Sequence, residues 1–370
     1  MASLATSPHF LALTANCTTV VYDFNTKLAK KLIVQDGCPN EGSGIVCSSF
    51  SDCGRYFVVC YKKVLRVFGV RDWGLVIEKN LLKAASQVTF IPGGEGIVIA
   101  DKTGDVYSYS TDVGGSEKLL LGHLSLVLDV LVTRDKKYII TCDRDEKIRI
   151  SCYPNAYNIH GYCLGHEEFV SSIHLLPHNP KYLVSCSGDG TIRIWDYCEL
   201  IEVLKYDCSR DADIPDNGSQ PPAITHMTVF ELTSNSSILV VLVANFNGAL
   251  VYLITSEGQD IKCAFKQIIK THNTPWNLIN SSGKLWFIVR DFKKYLISYE
   301  WSDSLGFVLS QDSEAIVLQW STMDIAQQMD YIFRSSENQI GQLYKRKFDN
   351  VKEYLDKKRA RLETKATTTI

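Results

Sequence analysis

Short apolar runs, each bounded by Gly, Pro, Asp or Asn, recur along most of the chain, and seven of them end in the same way. Each ends on a strand-like segment of about four residues in which apolar side chains alternate with others. The last residues of these segments lie 41 to 58 positions apart, and they are Tyr22, Phe68, Tyr109, Ser151, Trp195, Leu253 and Tyr299. A self-similar unit of about 40–45 residues is typical of one four-stranded blade of a β-propeller. The pattern therefore predicts seven blades.

A second recurring feature supports this interpretation. Four successive units carry a turn rich in Gly, Pro, Asp or Asn just before an apolar run, at residues 51–55, 92–96, 133–137 and 177–181. These residue types tolerate the dihedral angles of tight turns, and the apolar runs that follow have strand character. We expect each of the four turns to join two strands of a hairpin.

Two neighbouring units show the repeat most clearly. Gly122-His123 and Gly165-His166 open them, 43 residues apart, and Trp195-Asp196 closes the second. Gly-His early and Trp-Asp late are the marks of a WD repeat. In proteins with this repeat the His joins a buried network with the turn Asp and the closing Trp, which implies His166, Asp189 and Trp195 here. Ser151 replaces the Trp in the preceding unit, so we expect an incomplete network there.

These patterns predict an all-β fold, a seven-bladed WD-repeat β-propeller with a C-terminal basic helical extension. We place the propeller at residues 1–315 and the extension at residues 316–370, with helical character at 321–333 and again from Tyr344. The longest interval between blades contains residues 207–222, which are rich in Asp and Pro. We expect this segment to be a disordered insert outside the sheets.

The formal net charge is −2, but the charge is unevenly distributed. Residues 345–370 carry nine Lys or Arg against four Asp or Glu, so a basic end follows an acidic body. A basic segment favours contact with RNA phosphates or nuclear import, although exposed basic residues on a helix are also common. The candidate tRNA-contact residues are Lys345, Arg346, Lys347, Lys357, Lys358, Arg359 and Arg361.

Candidate catalytic chemistry is weak in this sequence. The twelve cysteines form no CxxC pair, and neither an HExxH nor a GxSxG motif occurs. The glycine-rich residues 92–96 precede a β-type run, whereas a nucleotide-binding loop opens a helix. We expect no catalytic residue, cofactor or metal, a reduced intracellular protein, and no membrane association, since the longest apolar run, residues 238–244, is too short.

The turn at residues 143–149 (DRDEKIR) is unusually charged. The next blade has small turn-forming residues at the same place, residues 187–191 (SGDGT), so we expect that the fold does not require the charges. Charged groups of both signs at a blade edge can orient a partner surface, and the alternative is a solvated turn. The candidate partner-binding residues are Arg144, Asp145, Glu146, Lys147 and Arg149.

The sequence resembles one family over residues 119–197. The run at 143–149, followed within about 20 residues by Leu164-Gly165-His166, is similar to the WD-repeat non-catalytic subunit of tRNA (guanine-N7) methyltransferase. The resemblance implies a propeller that binds and stabilises a separate catalytic subunit as a heterodimer and helps to present the tRNA variable loop. It places S-adenosylmethionine on that partner and makes the charged turn the leading docking candidate.

Two other functions stay open from the sequence. The chain could be a WD-repeat adaptor of another nuclear complex, in ubiquitin ligation or chromatin, with the basic segment directing import. It could also bind RNA directly, without an enzyme, through residues 345–370. We expect the protein in the nucleus, with the cytoplasm as a further location.

Overall fold

The computed structural model describes residues 2–33, 46–111, 117–211, 221–258, 260–281, 283–291, 293–323, 325–335 and 339–345. In this part of the chain, strands form seven antiparallel sheets of four strands, and the strands of each sheet are consecutive in sequence. The predicted seven-bladed propeller is therefore confirmed.

The strands are numbered in chain order, and each blade begins with its innermost strand. Blade 1 contains β1 (Ala2–Thr6), β2 (Phe10–Ala15), β3 (Thr18–Asp23) and β4 (Ala29–Ile33). Blade 2 contains β5 (Val46–Phe50), β6 (Tyr56–Tyr61), β7 (Val64–Gly69) and β8 (Leu75–Asn80). Blade 3 contains β9 (Ala85–Phe90), β10 (Gly96–Asp101), β11 (Asp105–Ser110) and β12 (Glu117–Gly122). Blade 4 contains β13 (Val127–Val132), β14 (Tyr138–Asp143), β15 (Ile148–Cys152) and β16 (Ile159–Cys163).

The remaining three blades follow the same order. Blade 5 contains β17 (Val170–Leu175), β18 (Tyr182–Ser187), β19 (Thr191–Asp196) and β20 (Ile201–Asp207). Blade 6 contains β21 (Ile224–Thr233), β22 (Ser236–Val243), β23 (Gly248–Glu257) and β24 (Asp260–Lys270). Blade 7 contains β25 (Pro275–Ser281), β26 (Lys284–Val289), β27 (Leu296–Ser302) and β28 (Gly306–Ser310).

The predicted landmarks lie where the repeat places them. All seven repeated segment endings fall in the third strand of a blade, and all four predicted turns join the first and second strands. Burial follows from the radial stacking of the sheets. Every residue of the second strands β10 and β18 is buried, whereas the fourth strands β8 and β20 contain no buried residue. A middle strand has both faces covered by neighbouring blades, and this explains its continuous apolar run.

Within the described ranges, the ring closes between blade 7 and blade 1 without a strand shared between the two sheets. Strand β1 is the inner strand of blade 1, β28 is the outer strand of blade 7, and β1 lies against both β5 and β25. The Ser281 hydroxyl donates to the Ser7 carbonyl oxygen (3.2 Å) across this seam. Closure therefore depends on side-chain packing between two separate sheets.

Two helices complete the seam. Helix α1 (Asp312–Ser321) and helix α2 (Ile325–Ser335) bury Ile316, Trp320, Met329 and Phe333 in a cluster with apolar residues of blades 1 and 7. The Gln319 side chain accepts a hydrogen bond from the backbone N–H of Ala29 (2.9 Å) and donates to the carbonyl oxygen of Lys27 (2.9 Å). The helices thus link the last blade to the first.

The observed boundaries differ from those expected. The last strand ends at Ser310 and α1 begins at Asp312, a few residues before the predicted start of the extension at 316. The predicted helix at 321–333 corresponds mainly to α2, and the helix predicted from Tyr344 lies almost entirely outside the described residues.

The first residues of the predicted insert at 207–222 belong to a strand and a turn, so the insert begins later than expected. Asp207 ends β20, and a 3₁₀ turn (Cys208–Arg210) follows, with Cys208 fully buried. The Asp211 carboxylate accepts hydrogen bonds from the hydroxyls of Tyr206 and Tyr252, each at 3.1 Å. Residues 212–220 of the predicted insert lie outside the described residues.

We predict that Trp320→Ala lowers the free energy of unfolding by about 3–5 kcal/mol, because it removes a fully buried indole from the seam. Thermal unfolding followed by circular dichroism measures this effect. The control is Leu318→Ala on the same helix, where the side chain is 71% exposed and its truncation should cost little. Equal losses of stability in the two variants would contradict a seam held together by buried packing.

Candidate protein interface on blade 4

The charged turn at residues 144–147 joins β14 to β15 and is called the blade-4 turn. The backbone N–H of Arg144 donates to the carbonyl oxygen of Leu126 (2.9 Å), which holds the turn against the loop that enters blade 4. Turns between second and third strands share one face of the ring with the loops between blades. We call this the upper face.

A buried carboxylate forms the base of the blade-4 turn. His123 Nδ1 donates to Asp143 Oδ2 (2.9 Å), and Asp143 Oδ1 accepts from the backbone N–H groups of Asp145 (2.9 Å) and Lys147 (3.0 Å). Burial alone would raise the pKa of Asp143, but the hydrogen bonds from His123 and from the Lys147 backbone outweigh it and hold the pKa below its usual value. The ionised carboxylate therefore fixes the path of the turn.

Arg149 is also buried, with 8% of its surface exposed. Its guanidinium donates to the carbonyl oxygens of Gly122 (3.0 Å) and Ala156 (3.1 Å) and to the Ser151 hydroxyl (2.9 Å). The expectation that the fold does not require the charges of residues 143–149 is therefore wrong for Asp143 and Arg149. Arg149, a predicted partner contact, instead joins strands of its own chain, because each of its three guanidinium nitrogens donates to a group within the fold.

The equivalent turn of blade 5 shows the complete network that the repeat implies. Trp195 Nε1 donates to Ser185 Oγ (2.8 Å), which leaves the Ser185 hydroxyl hydrogen for His166 Nε2 (2.8 Å). His166 Nδ1 then donates to Asp189 Oδ2 (2.9 Å). This network is confirmed, and it suits a neutral imidazole because each ring nitrogen has a matching partner.

Blade 4 differs from blade 5 in the position of the carboxylate that holds the histidine. His123 pairs with Asp143, two residues earlier in the turn than the counterpart of Asp189, which is Asp145. Asp145 is therefore released from the histidine, and its carboxylate accepts from the Ser125 hydroxyl (3.0 Å). The expected incomplete network in blade 4 is confirmed, and it leaves one acidic side chain on the upper face.

Glu146 has an unusual backbone conformation, with φ +69°. Gly190 occupies the same position in blade 5 with φ +76°. The left-handed region costs an ordinary L-residue about 1–2 kcal/mol but costs glycine almost nothing. Asn16, Lys62 and Asn245 also have positive φ in the corresponding turns of blades 1, 2 and 6, so the conformation belongs to this kind of turn and fixes the direction of the Glu146 side chain.

The outward-facing side chains of the blade-4 turn are accessible. Arg144, Asp145 and Glu146 are partly exposed, at 43%, 28% and 30% of their side-chain surfaces, and Lys147 is exposed. Arg144 Nε lies 3.7 Å from Asp145 Oδ1, and Lys147 Nζ donates to the Asp145 carbonyl oxygen (3.4 Å). Both cations of the turn are thus directed toward Asp145.

The sequence interpretation missed Leu124, which lies beside the blade-4 turn and is fully exposed. Its neighbour Ser125 donates to Asp145, so Leu124 belongs to the same surface. The signal was present in the repeat, because Glu167 follows Gly165-His166 in blade 5, where Leu124 follows Gly122-His123 in blade 4. Single exposed leucines are common on protein surfaces, and Leu124 is of interest here because it adjoins the charged turn.

One of the candidate tRNA-contact residues also lies on the upper face. Lys345 Nζ lies 2.6 Å from Glu146 Oε1, so the structure brings together residues from the two predicted sites. The other six candidates lie outside the described residues, and they are Arg346, Lys347, Lys357, Lys358, Arg359 and Arg361.

Several other kinds of site were sought in the described residues. They contain no group of three or more His, Cys, Asp or Glu arranged to hold a metal ion. Every cysteine among them is free. None of their helices combines the length and apolar character needed to span a bilayer.

Comparison with known proteins supplies the family. A family model described as the tRNA methyltransferase TRM82 WD40 domain matches residues 110–292. The chain is 34% identical over 331 residues to tRNA (guanine-N(7)-)-methyltransferase non-catalytic subunit wdr4 of Xenopus laevis, covering 86% of this chain and 81% of that protein. The chain belongs to this family of non-catalytic subunits.

Other comparisons agree with this assignment. The human non-catalytic subunit WDR4 is 31% identical over 334 residues, covering 87% of this chain and 78% of the human protein. The resemblance inferred from residues 119–197 is therefore confirmed, and the family name supports a non-enzymatic role. A chain in the solved structure of the mitotic checkpoint complex matches with a TM-score of 0.67 and 13% identity, covering 80% of this chain and 88% of that one. The structure of U3-55K matches with a TM-score of 0.63 and 17% identity, covering 78% of this chain and 88% of that one. Both share the fold alone.

In this family member we predict that Glu146→Gly raises the free energy of unfolding by about 0.5–1 kcal/mol, because glycine relieves the left-handed strain. The partly exposed ion pair with Lys345 offsets little of that gain. Thermal unfolding of the purified chain measures the change. Glu199→Gly, an exposed change at ordinary φ between β19 and β20, is the control and should destabilise. A loss of stability in Glu146→Gly would contradict the strain.

We also predict a pH dependence from His166. Burial lowers its pKa, although the hydrogen bond to Asp189 acts in the opposite direction. The folded chain thus keeps His166 neutral where the unfolded chain takes up a proton, below about pH 6.5, so its contribution to stability is complete above that pH and declines below it. The stability difference between wild type and His166→Gln should therefore be smaller at about pH 5.5 than at about pH 7.5.

Chemical denaturation at the two pH values measures this difference. His9→Gln, which removes an exposed imidazole from blade 1, controls for the loss of a histidine. A larger penalty for His166→Gln at the acidic pH would show that the buried imidazole is charged in the folded chain.

Proposed function

We propose that this chain is the rigid scaffold that binds and stabilises the S-adenosylmethionine-dependent catalytic subunit, which forms N7-methylguanosine in the tRNA variable loop. The two subunits form a heterodimer, and the upper face of blade 4 is the docking surface. The relatives named above are non-catalytic subunits, and such a subunit implies a catalytic partner.

The observation that carries this proposal is the fixed presentation of Glu146 on the upper face. Its position has glycine in the next blade, and the carboxylate of Asp143 holds the turn from below through the backbone N–H groups of Asp145 and Lys147. The outward charges are therefore held in one orientation, which a partner surface can select.

The surroundings of Glu146 have the composition of an interface. Leu124 supplies an apolar side chain with no cover, and charges of both signs on Arg144, Asp145 and Lys147 surround it. An apolar centre within a polar rim is the usual arrangement of residues that dominate binding. Closed sheets beneath the surface keep the spacing of these groups fixed.

The chemistry belongs to the partner in this proposal. The catalytic subunit holds S-adenosylmethionine and the reacting guanine, and this chain contributes orientation. Lys345 lies on the docking face, and we assign contact with tRNA phosphates to the basic residues that follow it in sequence. We further propose that the complex is nuclear, because the run at 357–361 has the composition of an import signal.

We predict that Leu124→Asp weakens binding of the catalytic subunit at least tenfold, because a charge replaces the apolar contact at the centre of the interface. Isothermal titration calorimetry with the two purified full-length subunits measures the affinity. The matched control is Leu305→Asp, where a leucine that is 71% exposed lies in the turn of blade 7 between β27 and β28, and we expect wild-type affinity.

Two results would contradict the proposal in different ways. Wild-type affinity in Leu124→Asp would move the docking surface away from blade 4. Absence of any complex between the wild-type subunits would overturn the scaffold function itself and favour an adaptor in another nuclear assembly.

A further inference from the structure

The last described residues of the chain, 339–345, return to the upper face of the propeller. Tyr344 packs edge-on against Phe169, with ring centroids 5.2 Å apart and planes at 80°. The Tyr344 hydroxyl lies 3.4 Å from the carbonyl oxygen of Gly188 in the equivalent turn of blade 5. Phe169 is itself buried, so Tyr344 is anchored on the core of the ring and not on a mobile side chain.

This anchor places the next residue against the blade-4 turn. Lys345 Nζ lies 2.6 Å from Glu146 Oε1, although the two residues are 199 positions apart in sequence. The contact raises the pKa of Lys345, chiefly through the hydrogen bond to Glu146 and more weakly through the charges of Asp145 and Asp143. Lys345 is thus protonated where it meets the strained glutamate.

The cations nearest to Glu146 in sequence do not form this pair. The Arg144 guanidinium lies near the Asp145 carboxylate, and Lys147 Nζ donates to the Asp145 carbonyl oxygen. Glu146 is paired instead with a residue from the far end of the chain. The proposed function has the Glu146 carboxylate contact the catalytic subunit. In this structure the same carboxylate pairs with Lys345 of its own chain.

We propose that Tyr344 and Lys345 form an autoinhibitory clasp, in which Lys345 covers Glu146 in the free subunit and is displaced when the catalytic subunit docks. The inference rests on the proposed function of the blade-4 turn. It adds that the affinity for the partner is set partly by an internal competitor.

The geometry suits displacement. The side chains of Lys345 and Glu146 are 44% and 30% exposed, and ion pairs of that kind are weak. Tyr344 holds Lys345 close to Glu146, which makes the weak pair intramolecular and gives it a high effective concentration. A partner cation with additional contacts on Leu124 can therefore replace Lys345 while Tyr344 stays in place.

The test is the affinity of the purified catalytic subunit for the full-length chain without tRNA, measured by calorimetry. Lys345→Ala should raise the affinity about two- to fivefold, because Glu146 is then free. Tyr344→Ala should act in the same direction by releasing Lys345. The matched control is Lys266→Ala, which removes an exposed lysine from the outer strand of blade 6 and should leave the affinity unchanged.

A substitution of Glu146, the residue paired with Lys345, separates failure of this inference from failure of the proposed function. Glu146→Gln should lower the affinity, and Lys345→Ala should have no further effect in that background. If Glu146→Gln lowers the affinity but Lys345→Ala does not raise it in the wild-type background, only the clasp is overturned. If Glu146→Gln leaves the affinity unchanged, both the clasp and the docking role of Glu146 are overturned.

A direct measurement follows the displaced amine. Acetylation of Lys345 with a small amine-reactive reagent, quantified by mass spectrometry, should be faster in the heterodimer than in the free subunit. Slower acetylation in the heterodimer would place Lys345 within the interface and overturn the clasp. Thermal unfolding of each variant confirms that the ring is intact.

Discussion

Closure of the ring between blade 7 and blade 1 is the constraint on which the rest of this structure depends. Among the residues that the structure describes, no strand is shared across that seam, so the sheets of blades 1 and 7 are not joined into one hydrogen-bonded sheet. Trp320 and its apolar neighbours on the two helices supply buried area in its place. Because every blade packs on two others, a loosened seam would change the spacing between blades throughout the ring, including the spacing between blades 4 and 5.

That spacing matters because the candidate interface is built from two blades. The blade-4 turn carries Glu146, and blade 5 carries Phe169, the ring on which Tyr344 packs. Beneath the exposed charges of the turn, Asp143 and Arg149 are buried and form their hydrogen bonds within the fold. Buried polar groups with all partners in place make a turn rigid, and a rigid turn loses little entropy when a partner binds.

Much of the fold could be predicted from the sequence because it repeats. Third-strand endings such as Tyr109 and Trp195 recur with blade length, and the hairpin turns recur with them. Trp320 could not be assigned to the seam, because its partners lie in the first and last blades and no periodicity links them. Contacts between distant parts of a chain leave no mark in local patterns.

The candidate site was predicted in part, for a similar reason. A cluster of charges normally indicates exposure, and this rule holds for Arg144 and Lys147 but fails for Arg149, whose donors meet backbone carbonyls. Alignment of the two turns places Glu146 opposite Gly190 and could have suggested the left-handed backbone. The pairing of Glu146 with Lys345 depends on where the chain returns to the ring, which the sequence pattern does not record.

In the proposed complex, the two kinds of side chain on the upper face have different physical roles in binding. The charges of the blade-4 turn act over several ångströms and bias the orientation in which a partner approaches, so they affect mainly the rate of association and its salt dependence. Leu124 acts only on contact, and its burial governs how long a complex lasts. On such a surface, competition by Lys345 for Glu146 weakens the charge contact and therefore slows association. It does not affect the contact at Leu124, which still retains a partner that has docked. In this arrangement the scaffold keeps its acidic group occupied in the free state without giving up a long-lived complex.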